Sequence, residues 1–224
     1  MVNKTKQNSL ISPILVGRCD CDEHVKFPFY WCEEIINKSE QLGIKVIDLK
    51  KENFSELKFK KNIEEQNPKL ILLNGHGDEF SAMGYNKEPV LIVNKNDYLL
   101  KEKIAHVLSC KTGAFLGQSA IDKGCKGYIG YHGQFRFWSI DNEPTKDGIS
   151  RLFMEAVNIV ALTLIEGGGI EKAYEESQGI YDKYIGFCMR QLRGEEEPKI
   201  KREYLVDILM VLRNNKKSQI YISV

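Results

Sequence analysis

Two stretches decide the fold: Leu70-Ile71-Leu72-Leu73-Asn74-Gly75-His76-Gly77 and Ile104-Ala105-His106-Val107-Leu108-Ser109-Cys110. Each is an apolar run that ends in a reactive residue. A short continuous apolar run reads as a strand buried on both faces, as in a parallel sheet. Ligands of open α/β sheets collect outside the carboxyl ends of the strands. His76 and Cys110 are therefore expected on one rim, the arrangement that a cysteine nucleophile and its base require.

Outward from this pair, the chain alternates strand and helix signals. Strands are expected at 13–17, 44–49, 70–74, 104–109 and 125–131, with a last one at 218–223. Phe27, Trp31, Ile35, Ile36 and Leu42 stand at roughly helical spacing, so one helix is expected over 27–42, with Gly43 as its stop. Further helices are expected at 53–66, about 114–123, from an Asp147 cap to Glu166, at about 170–192 and at about 202–213. Residues 79–94 read as a hairpin turning at Asn86-Lys87, and Asn96 suits the cap of a short helix. Alternating β and α units predict a mostly parallel sheet of about six strands with helices on both faces. No linker rich in Pro or Gly divides the chain, so one domain over 1–224 is expected, with 1–12 flexible.

Composition narrows the function. Lys+Arg 32 against Asp+Glu 31 is a balanced surface, and no basic stripe points to nucleic acid. The apolar runs are far shorter than the ~20 residues of a membrane span, and 1–12 carry no apolar segment of a signal peptide. Six irregularly spaced cysteines, several inside apolar segments, favour reduced thiols and a cytoplasmic setting over a disulfide framework. Cys19, Cys21, His24 and Cys32 do not have the spacing of a usual structural zinc site, so neither a metal nor a cofactor is expected.

Only the thiolate of cysteine attacks. Cys110 is expected to gain from the dipole of the helix after it and from Lys111, if that cation points inward. The backbone N–H groups of Gly77 and Cys110 suit an oxyanion hole, and glycine at 77 lets the chain approach a carbonyl closely.

In these residues the chain resembles the caspase-like superfamily of cysteine peptidases, which includes metacaspases, gingipains and CHAT domains. An apolar strand, then His-Gly, then a second apolar strand ending in Cys is its pattern, matched here by Asn74-Gly75-His76-Gly77 and Val107-Leu108-Ser109-Cys110. Cys110-Lys111-Thr112-Gly113, the Trp138-x-x-Asp141 element and Leu164 to Tyr174 are similar to CHAT segments. The resemblance implies a caspase-like three-layer sandwich and peptide-bond hydrolysis through an acyl-enzyme. Cys110 would be the nucleophile and His76 the general acid and base. It also implies a protein or peptide substrate, and leaves open activation by a partner, by self-cleavage or by dimerisation through the last strand. The Gln-Ala-Cys-Arg-Gly signature of caspases is absent.

Members of this superfamily build the primary specificity pocket from three places. Here these hold Arg18 to Asp22, Leu108, and Gln134 to Asp141. Cys19-Asp20-Cys21-Asp22 is similar to a metacaspase segment whose Asp receives a basic side chain. Asp22 with Asp20 or Asp141 would then bind Arg or Lys, while Arg18 and Arg136 argue for an acidic one; the balance favours basic. His132 is a rival base or a pocket-lining residue, and His106 reads as a core histidine. A catalytically inactive partner-binding module and an acyltransferase or ligase are the alternative functions.

Overall fold

The computed structural model describes residues 11–197 and 199–224; most of the segment 1–12 expected to be flexible lies outside them. Strands β1 (Ile14–Arg18), β2 (Val46–Lys50), β3 (Leu70–Asn74), β6 (Ile104–Leu108), β7 (Gly127–Tyr131) and β8 (Gln219–Ser223) form one sheet in the order β2-β1-β3-β6-β7-β8. All neighbours are parallel except β7 and β8. A two-stranded antiparallel hairpin, β4 (Ser81–Met83) and β5 (Pro89–Ile92), stands apart from it.

The period of two along each strand sends alternate side chains to opposite layers. Leu15, Ile71, Leu73, Ala105, Val107 and Tyr128 pack with Phe59 and Ile63 of α3 (Glu56–Gln66), with Leu116 and Ala120 of α4 (Leu116–Asp122), and with the hairpin. Ile14, Val16, Leu70, Leu72 and Ile129 pack on the other face. Their partners there are Ile35 and Ile36 of α2 (Glu33–Gln41), Val160 and Leu164 of α5 (Ser150–Ile165), and Ala173 of α6 (Ile170–Arg193). This is the expected three-layer α/β sandwich. A third cluster joins α5, α6 and α7 (Arg202–Ser218) beyond the sheet, and Phe135, Phe137 and Trp138 rest on it.

The segment expected as one helix over 27–42 is two, α1 (Glu23–Trp31) and α2, separated at Cys32. It begins earlier because the Asp22 side chain accepts hydrogen bonds from the backbone N–H of His24 and Val25, satisfying donors that a helix start otherwise leaves open. The helix expected from an Asp147 cap starts later, at Ser150 after Ile149, and Asp147 Oδ1 accepts from Ser150 N just ahead of it. The last helix runs on to Ser218 and feeds β8 directly.

Candidate active site

Register places the reactive residues. Asn74 of β3 is paired with Leu108 of β6, and His76 and Cys110 each lie two residues beyond that pair. Gly75 N donates to Leu108 O at 3.2 Å, which carries the pairing one step past the strand ends. Both residues, with Gly75, Leu108 and Ser109, line one cleft of about 960 Å³. The rest of its lining includes residues of α1 (Val25, Phe27, Pro28) and of the segment after β7 (Phe135, Phe137, Ser139).

The loop after β3 is held by the hairpin. Met83 N donates to His76 O at 2.9 Å, and Asp78 N to Ser81 O at 3.0 Å. Those two bonds bridge Gly77 to Ala82 without using the N–H of Gly77. Among the described residues, neither Gly77 N nor Cys110 N donates a hydrogen bond. Gly77 is required sterically, because a Cβ there would lie 2.8 Å from both Ser109 Cβ and Thr112 Cγ2.

Cys110 is partly exposed, and its Sγ lies 3.8 Å from Phe135 O. Lys111 turns the chain away with a positive φ of 62°, and its N–H is anchored on Gly133 O at 2.9 Å. Its ammonium pairs with Glu79 at 2.8 Å and also feels the Cys110 thiol electrostatically. Helix α4 also starts later than expected, at Leu116 after a turn over 110–115. Its dipole acts within about one turn of its first residue, so it does not reach Cys110.

Nε2–H of His76 donates to Asp22 Oδ2 at 2.7 Å. Lys87 Nζ is 3.2 Å from the same oxygen. Partial burial pushes the Asp22 carboxyl up, but the hydrogen bonds from His76 and Lys87 outweigh it and hold the group down at about 2. Asp22 thus stays ionised beside the imidazole. Sequence reasoning assigned it to the specificity pocket. Two signals carry its other role: it stands at the helix start, and it lies just beyond the end of β1, next to β3.

The remaining expected pocket residues scatter. Arg18 is 1% exposed and ties Asp48 (2.7 Å) to Glu33 (2.8 Å) under the ring of Phe29, so it does not line the cleft. A guanidinium so enclosed is buried only with its carboxylates. Asp20 pairs with Lys51 at 3.1 Å. Asp141 is exposed, accepts from Glu143 N, and is absent from the cleft wall. His132 is exposed, with its N–H on Ser218 O, and is likewise outside the wall. Of the expected pocket residues, Leu108 lines the cleft, together with Gln134 to Phe137 and Ser139 from the segment after β7. The charged side chains that do line it are Glu23, Lys26 and Arg136. His106 is buried, and its Nε2 has no partner among the described residues.

No protein-family model matches the chain, and no curated protein does. Solved structures do. The complex of the pro- and mature domains of RgpB from Porphyromonas gingivalis superposes with a TM-score of 0.60 at 10% identity, covering 99% of this chain and 49% of that one. The Arg-specific cysteine proteinase gingipain R (RgpB) gives a TM-score of 0.57 at 13% identity, covering 97% and 47%. The chain therefore spans about half the length of these structures. At this identity the likeness shows the fold, which is the caspase-like α/β arrangement of gingipain.

Proposed function

We infer that the chain is a cysteine endopeptidase, with Cys110 as nucleophile and His76 as general acid and base. One observation carries this reading: the two side chains leave adjacent parallel strands at the same register and line the same cleft. Cys110 Sγ attacks the scissile carbonyl carbon, and an S–C bond forms as the C–N bond breaks. His76 delivers a proton to the leaving amine, then takes one from the water that hydrolyses the thioester. Because Nε2–H is engaged by Asp22, Nδ1 is the nitrogen left to carry that proton. Asp22 is a positioning residue that fixes the ring and its tautomer, as carboxylates do in other nucleophile–base pairs. The free N–H groups of Gly77 and Cys110 would receive the oxyanion, each worth roughly 3 kcal/mol by analogy with measured cases.

The substrate is a polypeptide that reaches into the cleft. A preference for a basic residue before the scissile bond, expected from Asp20, Asp22 and Asp141, now rests on Glu23, the one carboxylate in the cleft wall among the described residues. Lys26 and Arg136 in the same wall favour a second reading, an acidic residue there. A positional-scanning peptide library with wild type, Glu23→Gln and Arg136→Glu separates the two.

A thiol-reactive peptide electrophile tests the reaction class. Labelling confined to Cys110 and lost in His76→Ala supports the peptidase. Equal labelling of the accessible cysteines, unaffected by His76→Ala, supports a partner-binding module instead. Products formed with an added amine acceptor distinguish an acyltransferase.

A further inference from the structure

Immediately before Asp22 lies a pair of thiols that the proposed chemistry does not use. Cys19 Sγ and Cys21 Sγ are 2.9 Å apart, within about 0.9 Å of the ~2.05 Å of a disulfide bond. Cys19 is fully buried at the exit of β1, with its sulfur 3.7 Å from Gly84 O. Cys21 is partly exposed. Cys32, Cys125 and Cys188 are buried, and desolvation pushes their thiols up to about 12, 11 and 11. Oxidants in solution therefore meet two thiols, Cys21 and the proposed nucleophile Cys110, and Cys21 alone has a second sulfur in contact.

We propose that Cys19 and Cys21 form a reversible disulfide in response to hydroperoxides, and that closing it displaces Asp22 from His76. The Cys21 thiolate attacks the peroxide, giving a sulfenic acid and releasing hydroxide or an alkoxide. Cys19 gives its proton to the departing hydroxyl and its thiolate attacks the Cys21 sulfur, so that water leaves as the S–S bond forms. The peroxide is the oxidant, and the two thiols are oxidised together by two electrons. Cys21 adjoins Asp22, so a shift of the backbone as the sulfurs close to bonding distance moves the residue that caps α1 and holds the histidine. A three-residue ring is strained, so small dithiols reopen it readily.

The consequence for turnover rests on the peptidase reading; formation of the bond does not. The test uses the full chain carrying Cys110→Ala, which removes the competing thiol. After hydrogen peroxide and alkylation, mass spectrometry is expected to find the Cys19–Cys21 peptide unalkylated and two hydrogens lighter, with recovery in dithiothreitol. In the same oxidised sample, the imidazole ¹⁵N spectrum is expected to lose the hydrogen-bonded Nε2–H of His76. Cys21→Ser should abolish both changes, and its thermal unfolding is followed to confirm that it folds. Free thiols at both positions after peroxide, or Cys21 carried on to sulfinic acid, would overturn the proposal. A disulfide that leaves the His76 spectrum unchanged would overturn the coupling. Neither readout depends on catalysis, so failure to hydrolyse peptides leaves this result standing and the reverse also holds.

Discussion

The Asp22 carboxylate receives the Nε2–H of His76 at 2.7 Å, from a residue 54 positions away in the chain. One side chain therefore joins two tasks, since its other oxygen accepts from the N–H groups of His24 and Val25. The tasks separate by substitution. Asparagine keeps an oxygen for the cap but loses the charge, and alanine loses both.

For Asp22→Asn, kcat for peptide hydrolysis should fall about 10²-fold, within the range that positioned acid–base groups supply, with KM nearly unchanged. Stability at pH 7 should follow the lost charge alone. Asp22→Ala should cost roughly 1 kcal/mol more, the typical worth of a helix cap. Steady-state kinetics and urea unfolding of the two variants check this. Unchanged kcat in Asp22→Asn would remove the residue from the mechanism.

The acid limb of stability should also carry the Asp22 signature. Its folded value, about 2, lies below the 3.8 of a free aspartate. A depressed carboxylate contributes stability above its unfolded value and loses it as pH falls toward the folded one. Lys87 is largely exposed, so screening brings the contribution to about 1–2 kcal/mol. The gap in unfolding free energy between wild type and Asp22→Asn should be full at pH 6, shrink from about pH 4 and close near pH 2. A gap independent of pH would contradict this linkage.

Gly77→Ala should damage the site without touching a charged group. The added Cβ meets Ser109 and Thr112 at 2.8 Å, and relieving such overlap costs about 1–3 kcal/mol. The expected result is a lower melting temperature together with at least a tenfold loss of kcat. Full activity would show that the loop yields and that its N–H has no fixed role.

Arg18→Ala should behave as a core substitution rather than a specificity change. It empties a core position and removes the cation from Asp48 and Glu33, which water still reaches, so the expected cost is about 2–3 kcal/mol, from lost packing and charge-assisted hydrogen bonds. The fraction that stays folded should keep the wild-type ranking of peptides in a positional library. An altered ranking would return Arg18 to the pocket.

The order of strands and helices was legible in the sequence because local signals carry it. Uninterrupted apolar runs such as Leu70–Leu73 mark strands buried on both faces, and a capping aspartate such as Asp147 marks a helix start. That His76 and Cys110 line one cleft followed from the rule that strand ends share a rim. Charged partners were not legible in the same way. Asp22, Asp20 and Arg18 follow one another within five residues, yet one holds a histidine, one a surface lysine and one a pair of partly exposed carboxylates. Apolar periodicity is a property of neighbouring residues and needs only local backbone geometry. The partner of a charge is set by which distant segments the sheet order brings within a few ångströms, and that is decided only when β1, β3 and α1 are packed together.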